Sequence, residues 1–269
     1  MLLAVDIGNT NIVFGCVDEN ENIVVFERIS TNHSATVVEY ASLIKNILEM
    51  NNFCCKDIDD AVMSSVVPSV TNTVKEAIRK LFGVDVLIVG AGVKTGLNIK
   101  IDNPKQLGSD QVVDAVAAIN TYPVPLIIID MGTATTVSVV DKNKDYIGGL
   151  IITGMGVSAD ALISRTAQLP KFDFELPPNI IGTNTIDCMK SGALYSNACA
   201  LDGIIERIEE EIGEPCTAVA TGGLSSVVVP LCRKNIITDT NLLIKGLTII
   251  YRNTVAYIES RRKRNSHGK

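Results

Sequence analysis

One pattern occurs twice in this chain and constrains it more than any other feature. Near the start, an apolar run at residues 2–5 ends in Asp6-Ile7-Gly8-Asn9-Thr10-Asn11, and a second apolar run at 12–17 follows at once. In the middle, the run 126–129 ends in Asp130-Met131-Gly132-Thr133-Ala134-Thr135, and 137–140 continues it. In each copy a polar turn, 18–22 or 141–145, leads to a third strand-like run, 23–29 or 146–152. Short Val/Ile-rich runs separated by Gly, Asn and Asp read as strands joined by tight turns. Asp6 and Asp130 stand 124 positions apart, so the chain reads as an approximate internal duplication with one acidic glycine turn per half.

The rest of the pattern fills in around these hairpins. Apolar residues at helical spacing predict helices over 36–50, 69–82 and 109–121, with strands at 61–67 and 84–89 between them. The second half is richer in helix, over 158–167, 185–212 and 240–262, with a short strand at 217–220 before Thr221-Gly222-Gly223. The Pro-flanked segment 122–125 reads as the hinge. It divides the chain into 1–121, 122–262 and a basic tail, 263–269. A length of 269 residues suits two such domains.

Composition narrows the class. Mean hydropathy is +0.27, yet no apolar run nears the ~18 residues needed to span a bilayer. The opening residues have neither the basic flank nor the length of a signal peptide. A cytoplasmic α/β protein is expected, with central strands covered on both faces. The seven cysteines contain no C-x-x-C pair and read as reduced thiols. With only His33 and His267, neither a zinc site nor a histidine-based nucleophile finds its partners. Net charge is −6, although Arg261, Arg262, Lys263, Arg264 and Lys269 hold five positive charges, so the body is strongly acidic. That argues against nucleic acid as a ligand, because such binding rests on neutralising phosphates.

The two turns carry the chemistry. Gly8 lets backbone approach an anion without a Cβ in the way, and Thr10 and Asn11 add short side-chain donors. Successive turn amides can form an anion nest. Asp6, at the carboxyl end of its strand, can hold Mg²⁺, most readily through water. The second turn repeats the arrangement, and two such turns can grip one triphosphate. No G-x-x-x-x-G-K-[ST] run and no G-x-G-x-x-G after an opening strand is present, so ordinary nucleotide loops are excluded. Thr221-Gly222-Gly223 is a third glycine element that could admit a flat base. By position alone, Asp110 is a helix-start carboxylate favoured by the dipole.

In this order the three elements resemble the acetate and sugar kinase/actin superfamily. More closely, the chain resembles the type III pantothenate kinases. The likeness rests on Asp6-Ile7-Gly8-Asn9-Thr10-Asn11, Gly108-Ser109-Asp110, Asp130-Met131-Gly132-Thr133-Ala134-Thr135, Gly148-Gly149 with Gly154, and Gly182-Thr183-Asn184-Thr185 before Ser191-Gly192.

The resemblance implies two similar actin-like, ribonuclease H-like domains with mixed sheets and a nucleotide cleft between them. It implies that Asp6, Ile7, Gly8, Asn9, Thr10, Asn11, Ile12, Val13 and Thr133 bind ATP, brought in with Mg²⁺. Asp110 would be the general base for the primary hydroxyl of pantothenate, the first step of coenzyme A synthesis. Asp130 would bind a monovalent cation, K⁺ or NH₄⁺. Ile101, Gly108, Ser109, Gln111 and Thr185 would complete the substrate site, and the enzyme would be a homodimer.

Two positions depart from the family pattern, which usually has Arg where Gln111 stands and Tyr where Ile101 stands. An Arg can hold a carboxylate with a bidentate, charge-assisted pair, whereas Gln offers a neutral amide. A kinase of another small alcohol, or a weakly catalytic nucleotide-binding regulator, are the alternatives these positions raise.

Overall fold

A computed structural model describes residues 1–90 and 93–266 of the chain. His267, Gly268 and Lys269 of the basic tail lie outside the described residues. In chain order the elements are β1 (Leu2–Ile7), β2 (Asn11–Val17), β3 (Ile23–Ser30), α1 (Val37–Met50), β4 (Asp60–Ser65), α2 (Pro68–Phe82), β5 (Val86–Ile88), β6 (Asn98–Ile99) and α3 (Ser109–Thr121). They continue with β7 (Leu126–Met131), β8 (Ala134–Val140), β9 (Asp145–Thr153), α4 (Met155–Ser164), α5 (Thr185–Ile212), β10 (Thr217–Thr221), α6 (Ser225–Val228), β11 (Ile236–Thr238) and α7 (Leu242–Ser266). The chain is α/β with two mixed sheets, as the repeated hairpins predict.

The chain separates into two compact units. The first holds Met1–Leu97, Asn103–Ala117 and α7, and the second holds Asn98–Asp102 and Ala118–Asn241. In the first unit the strand order is β3-β2-β1-β4-β5, with β1 antiparallel to β2 and parallel to β4. Strand periodicity turns Leu3, Val5 and Ile7 to one face, where they pack with Tyr40, Ile44, Val74 and Ile78 of α1 and α2. The other face buries Ala4 and Val62 against Val113 and Val116 of α3 and Ile244, Leu247 and Ile250 of α7.

This grouping differs from the boundary read at 121/122, which assigns the last helix to the second half. The reason lies in packing. A Cβ on Gly15 would come within 2.8 Å of Ile244, and one on Gly246 would overlap the backbone of Val113. Two glycines thus let α7 lie directly on the first unit's strands and on α3, a pairing that helical spacing cannot reveal.

In the second unit the order is β11-β10-β7-β8-β9-β6. The β7–β8–β9 hairpins repeat β1–β2–β3, and even the irregularity before the third strand recurs, between Cys16 and Val17 and between Val139 and Val140. One face buries Ile127, Ile129 and Val137 against Met155, Leu194, Leu201 and Ile205.

The helix expected at 158–167 forms three residues earlier, as Met155–Ser164. Gly154 caps it without a side-chain bond and sits where a Cβ would strike the Thr133 and Gly132 carbonyls, so close packing rather than a polar cap sets its start. No helix among the described residues is long and apolar enough to cross a membrane.

Candidate active site

Within the first unit, Asp6 is the last polar residue before the β1–β2 turn, and the pleat turns its side chain to the face shared with Ala4. It is 8% exposed, and it accepts a 2.6 Å hydrogen bond from the Ser64 hydroxyl of neighbouring β4. Burying a carboxylate is costly unless it is hydrogen-bonded, and Ser64 supplies one such bond. The turn that follows is closed by Gly8 N–H donating to the Asn11 carbonyl at 2.9 Å. It is braced from β3's end, where Thr31 donates its hydroxyl to the Gly8 carbonyl and its amide to the Thr10 carbonyl. Asn9 and Thr10 at the tip are exposed, while Ile7, Ile12 and Val13 are buried beneath it.

The start of α3 lies in the same unit. Ser109 donates its hydroxyl to the Ser65 carbonyl at 3.1 Å, holding the first turn of α3 against the carboxyl end of β4. Asp110 and Gln111 follow there, both half-buried. The Gln111 backbone N–H donates to Asp110 Oδ1 at 2.8 Å, and a side chain on Gly108 would overlap that same oxygen. Gly108 therefore leaves the space that the Asp110 carboxylate occupies. Asp6, Gly8 and 108–111 are thus collected around the ends of β1 and β4.

The second unit collects the other set. Asp130, half-buried at the end of β7, pairs in register with Thr221 of β10. Gly222 then turns with φ +88°, and a Cβ there would lie 2.6 Å from Asp130 Oδ1 and from the Met131 amide. Ser225, fully buried, donates its hydroxyl to the Gly222 carbonyl at 2.7 Å and fixes the turn. Gly132 N–H donates to the Ala134 carbonyl, and Gly154 N–H to the Thr133 carbonyl. Thr133 itself is exposed at the tip.

Ile101 belongs to the second unit as well. β6 pairs with Asp145 and Tyr146 of β9. Asp145 accepts from Asn98 at 2.5 Å and from the Lys100 ammonium at 2.5 Å. These contacts, Lys100 first, hold the Asp145 carboxyl below the usual carboxylate range, and the same pairing raises Lys100. Ile101, directly after this clamp, is half-buried.

Thr185 opens α5 after the Asn184 cap, whose side chain accepts from the Asp187 amide at 2.9 Å. It lines a largely apolar cavity of about 640 Å³ with Met155, Leu162, Phe172 and Met189. Lys190 points elsewhere and pairs with Glu175 at 3.0 Å. The expected acceptor residues are therefore divided, with 108–111 in one unit and Ile101 and Thr185 in the other.

The family model described as "Type III pantothenate kinase" matches residues 2–207. The chain belongs to the type III pantothenate kinase family. A type III pantothenate kinase from Exiguobacterium sp. is 41% identical over 93% of this chain and 98% of its own length. The one from Halalkalibacterium halodurans is 39% identical over 95% of this chain and all of its own. Among solved structures, component A of the (R)-2-hydroxyglutaryl-CoA dehydratase of Acidaminococcus fermentans has a TM-score of 0.55 at 15% identity, covering 93% of this chain and 96% of its own. At that identity the likeness shows the fold alone.

Two residues of the site escaped the sequence reading, Ser64 and Ser65. Their one signal was two hydroxyls closing an otherwise apolar strand, Ala61-Val62-Met63-Ser64-Ser65.

Proposed function

We propose that this chain phosphorylates the primary hydroxyl of pantothenate with ATP, at the entry to coenzyme A synthesis. Membership of the type III family carries the choice of substrate. The observation that supports the chemistry is the collection of an acidic phosphate-type turn and a helix-start carboxylate at neighbouring strand ends of one unit. Asp6 bonds Ser64, and the next residue, Ser65, accepts from Ser109 beside Asp110.

Asp110 is the general base. Its carboxylate takes the proton of the acceptor hydroxyl as that oxygen bonds to the γ-phosphorus. The bond from the γ-phosphorus to the bridging oxygen breaks, and ADP leaves with its electron pair. Such a base contributes about 10²–10⁴-fold, and positioning and charge stabilisation supply most of the remainder. Asn9 and Thr10 in the first turn present their exposed groups to the phosphates, and exposed Thr133 is assigned to ATP as well.

The donor set of the first turn fits a hard divalent cation. Among the described residues no group of three or more His, Cys, Asp or Glu could hold a metal. A single strand-end carboxylate, Asp6, is nonetheless the kind of ligand Mg²⁺ takes when phosphates and water fill its other positions. Bound there, Mg²⁺ neutralises charge on the phosphate oxygens. Asp130, with Gly222 packed on its carboxylate, is assigned to a monovalent cation. Thr185, with the apolar cavity it lines, is assigned to the acceptor, as are Ile101 and Gln111.

The reading carries with it a homodimer and a cytoplasmic location. In support of the dimer, the second unit leaves large apolar side chains exposed, among them Ile151 at 76% and Ile181 at 79%. Sedimentation of Ile151→Asp against the parent chain checks it.

An ADP-release assay with pantothenate, Mg²⁺ and K⁺ tests the whole reading, with Asp110→Asn as the control. Turnover that falls about 10²–10⁴-fold in the variant, with ATP still bound, is expected. Absence of turnover in the parent chain at millimolar pantothenate would overturn it.

A further inference from the structure

The second unit contains a cysteine pair with no part in this chemistry. Cys232 follows a short 3-10 turn, Val229–Leu231, that links α6 to β11. Its thiol lies 3.8 Å from the Ala198 carbonyl of α5 and 3.6 Å from the Val228 carbonyl. Cys199 is the next residue along α5 and is exposed. A second set of contacts fixes which side of α5 faces this segment. Both oxygens of Asp202 accept from the Arg233 amide at 2.9 Å, and Oδ1 also accepts from the Lys234 amide. Residues three apart on a helix share a side, so Cys199 lies one turn before the carboxylate that grips Arg233. The two thiols are approached from both sides by contacts that join the same two segments.

The geometry points to Cys199 and Cys232 as a dithiol that closes to a disulfide, joining α5 to the α6–β11 connection when a small disulfide is present. Cys199 reacts first because it is exposed, whereas Cys232 is half-buried. Burial first, then Asp202 and Cys199, push the Cys232 thiol up to about 11 and keep it inert towards solvent. The Cys199 thiolate attacks one sulfur of the small disulfide, its S–S bond breaks, and one small thiol leaves. The Cys232 sulfur then attacks the Cys199 sulfur and releases the second thiol. The two protons of the dithiol end on the two small thiols, so the exchange balances without another oxidant. Cytosolic disulfides of this kind are transient and redox-sensing rather than structural.

The test uses the full chain, reduced and then exposed to oxidised glutathione, digested with trypsin without reduction. The expected product joins the peptide 191–207 to the peptide 208–233, two hydrogens lighter than the pair. Because 208–233 also contains Cys216, the variants decide the assignment. The cross-link persists in Cys216→Ser and disappears in Cys199→Ser and in Cys232→Ser. Oxidation raises the unfolding midpoint of the parent chain and of Cys216→Ser, and leaves Cys199→Ser unmoved. A cross-link that survives Cys232→Ser, glutathione retained on Cys199 without closure, or a bridge that lowers the midpoint would overturn the proposal.

Discussion

Ser64 donates its hydroxyl to the buried carboxylate of Asp6 at 2.6 Å, across the parallel pair formed by β1 and β4. The bond joins the first turn to the strand whose next residue anchors α3. A hydrogen bond to a charged group contributes about 1.5–3 kcal/mol, and removing one partner leaves the other buried and under-satisfied. Ser64→Ala is expected to lower stability by about 2 kcal/mol in urea unfolding. If Asp6 serves the nucleotide, kcat/KM for ATP falls by ~10-fold or more, since 1.4 kcal/mol is a factor of ten. Loss of stability with unchanged kcat/KM for ATP would detach Asp6 from the nucleotide.

Gly222 bears on Asp130 as Ser64 bears on Asp6, but through shape. Its φ of +88° is strained for any side chain, and a Cβ would sit 2.6 Å from the Asp130 carboxylate. Gly213 is a ready control, because its φ is +82° with nothing within 4 Å. Gly213→Ala is expected to cost about 1–2 kcal/mol, the conformational term alone. Gly222→Ala should cost more, and if Asp130 holds a monovalent cation, as proposed, it should also raise the K⁺ concentration for half-maximal rate. Equal costs for the two variants would show that the contact with Asp130 is without consequence.

The hairpin pattern and the two acidic turns were legible in the sequence because strand alternation and turn chemistry are local. The candidate site was only partly so. Asp110 reads as an ordinary helix-start carboxylate until Ser109 is seen bonded to the Ser65 carbonyl, 44 positions earlier. The placement of α7 on the first unit was likewise hidden, because it depends on the absence of a Cβ at Gly15 and Gly246 rather than on any periodicity. Close backbone approach leaves no trace in an amphipathic pattern, and a two-residue strand such as β6 leaves none in an apolar one.

β6 supplies a pH prediction. Asp145 is held below the usual carboxylate range chiefly by Lys100, with Asn98 adding to it. A depressed folded-state pKa adds stability that is present above the ordinary carboxylate value, ~3.9, and fades as pH falls through the folded value. The parent chain is therefore expected to lose stability as pH drops below about 4, where Asp145 takes up its proton. Lys100→Ala removes the main cause of the depression. Its stability curve should lie below the parent's near pH 7 and converge with it in acid. Parallel curves in unfolding titrations between pH 3 and pH 7 would refute the role given to the clamp.

Gln111 supplies the last prediction. It follows Asp110 on the first turn of α3 and is half-buried, at a position where the resemblance to the family leads to an expectation of Arg. A neutral amide gives up the charge-assisted pair that a guanidinium forms with a carboxylate. The difference between a neutral and a charged hydrogen bond is about 1 kcal/mol, which corresponds to roughly five-fold in an equilibrium constant. Gln111→Arg is therefore expected to lower KM for pantothenate about five-fold or more. The ATP constants should stay as they are, because the turn at Gly8 is braced by Asn11 and Thr31. Pantothenol, which has no carboxylate, serves as the comparison, and its KM should not fall. A variant that gains equally on both acceptors would mean that position 111 does not meet the carboxylate. One that loses on both would mean that the Gln amide already serves the bound substrate better than a guanidinium could.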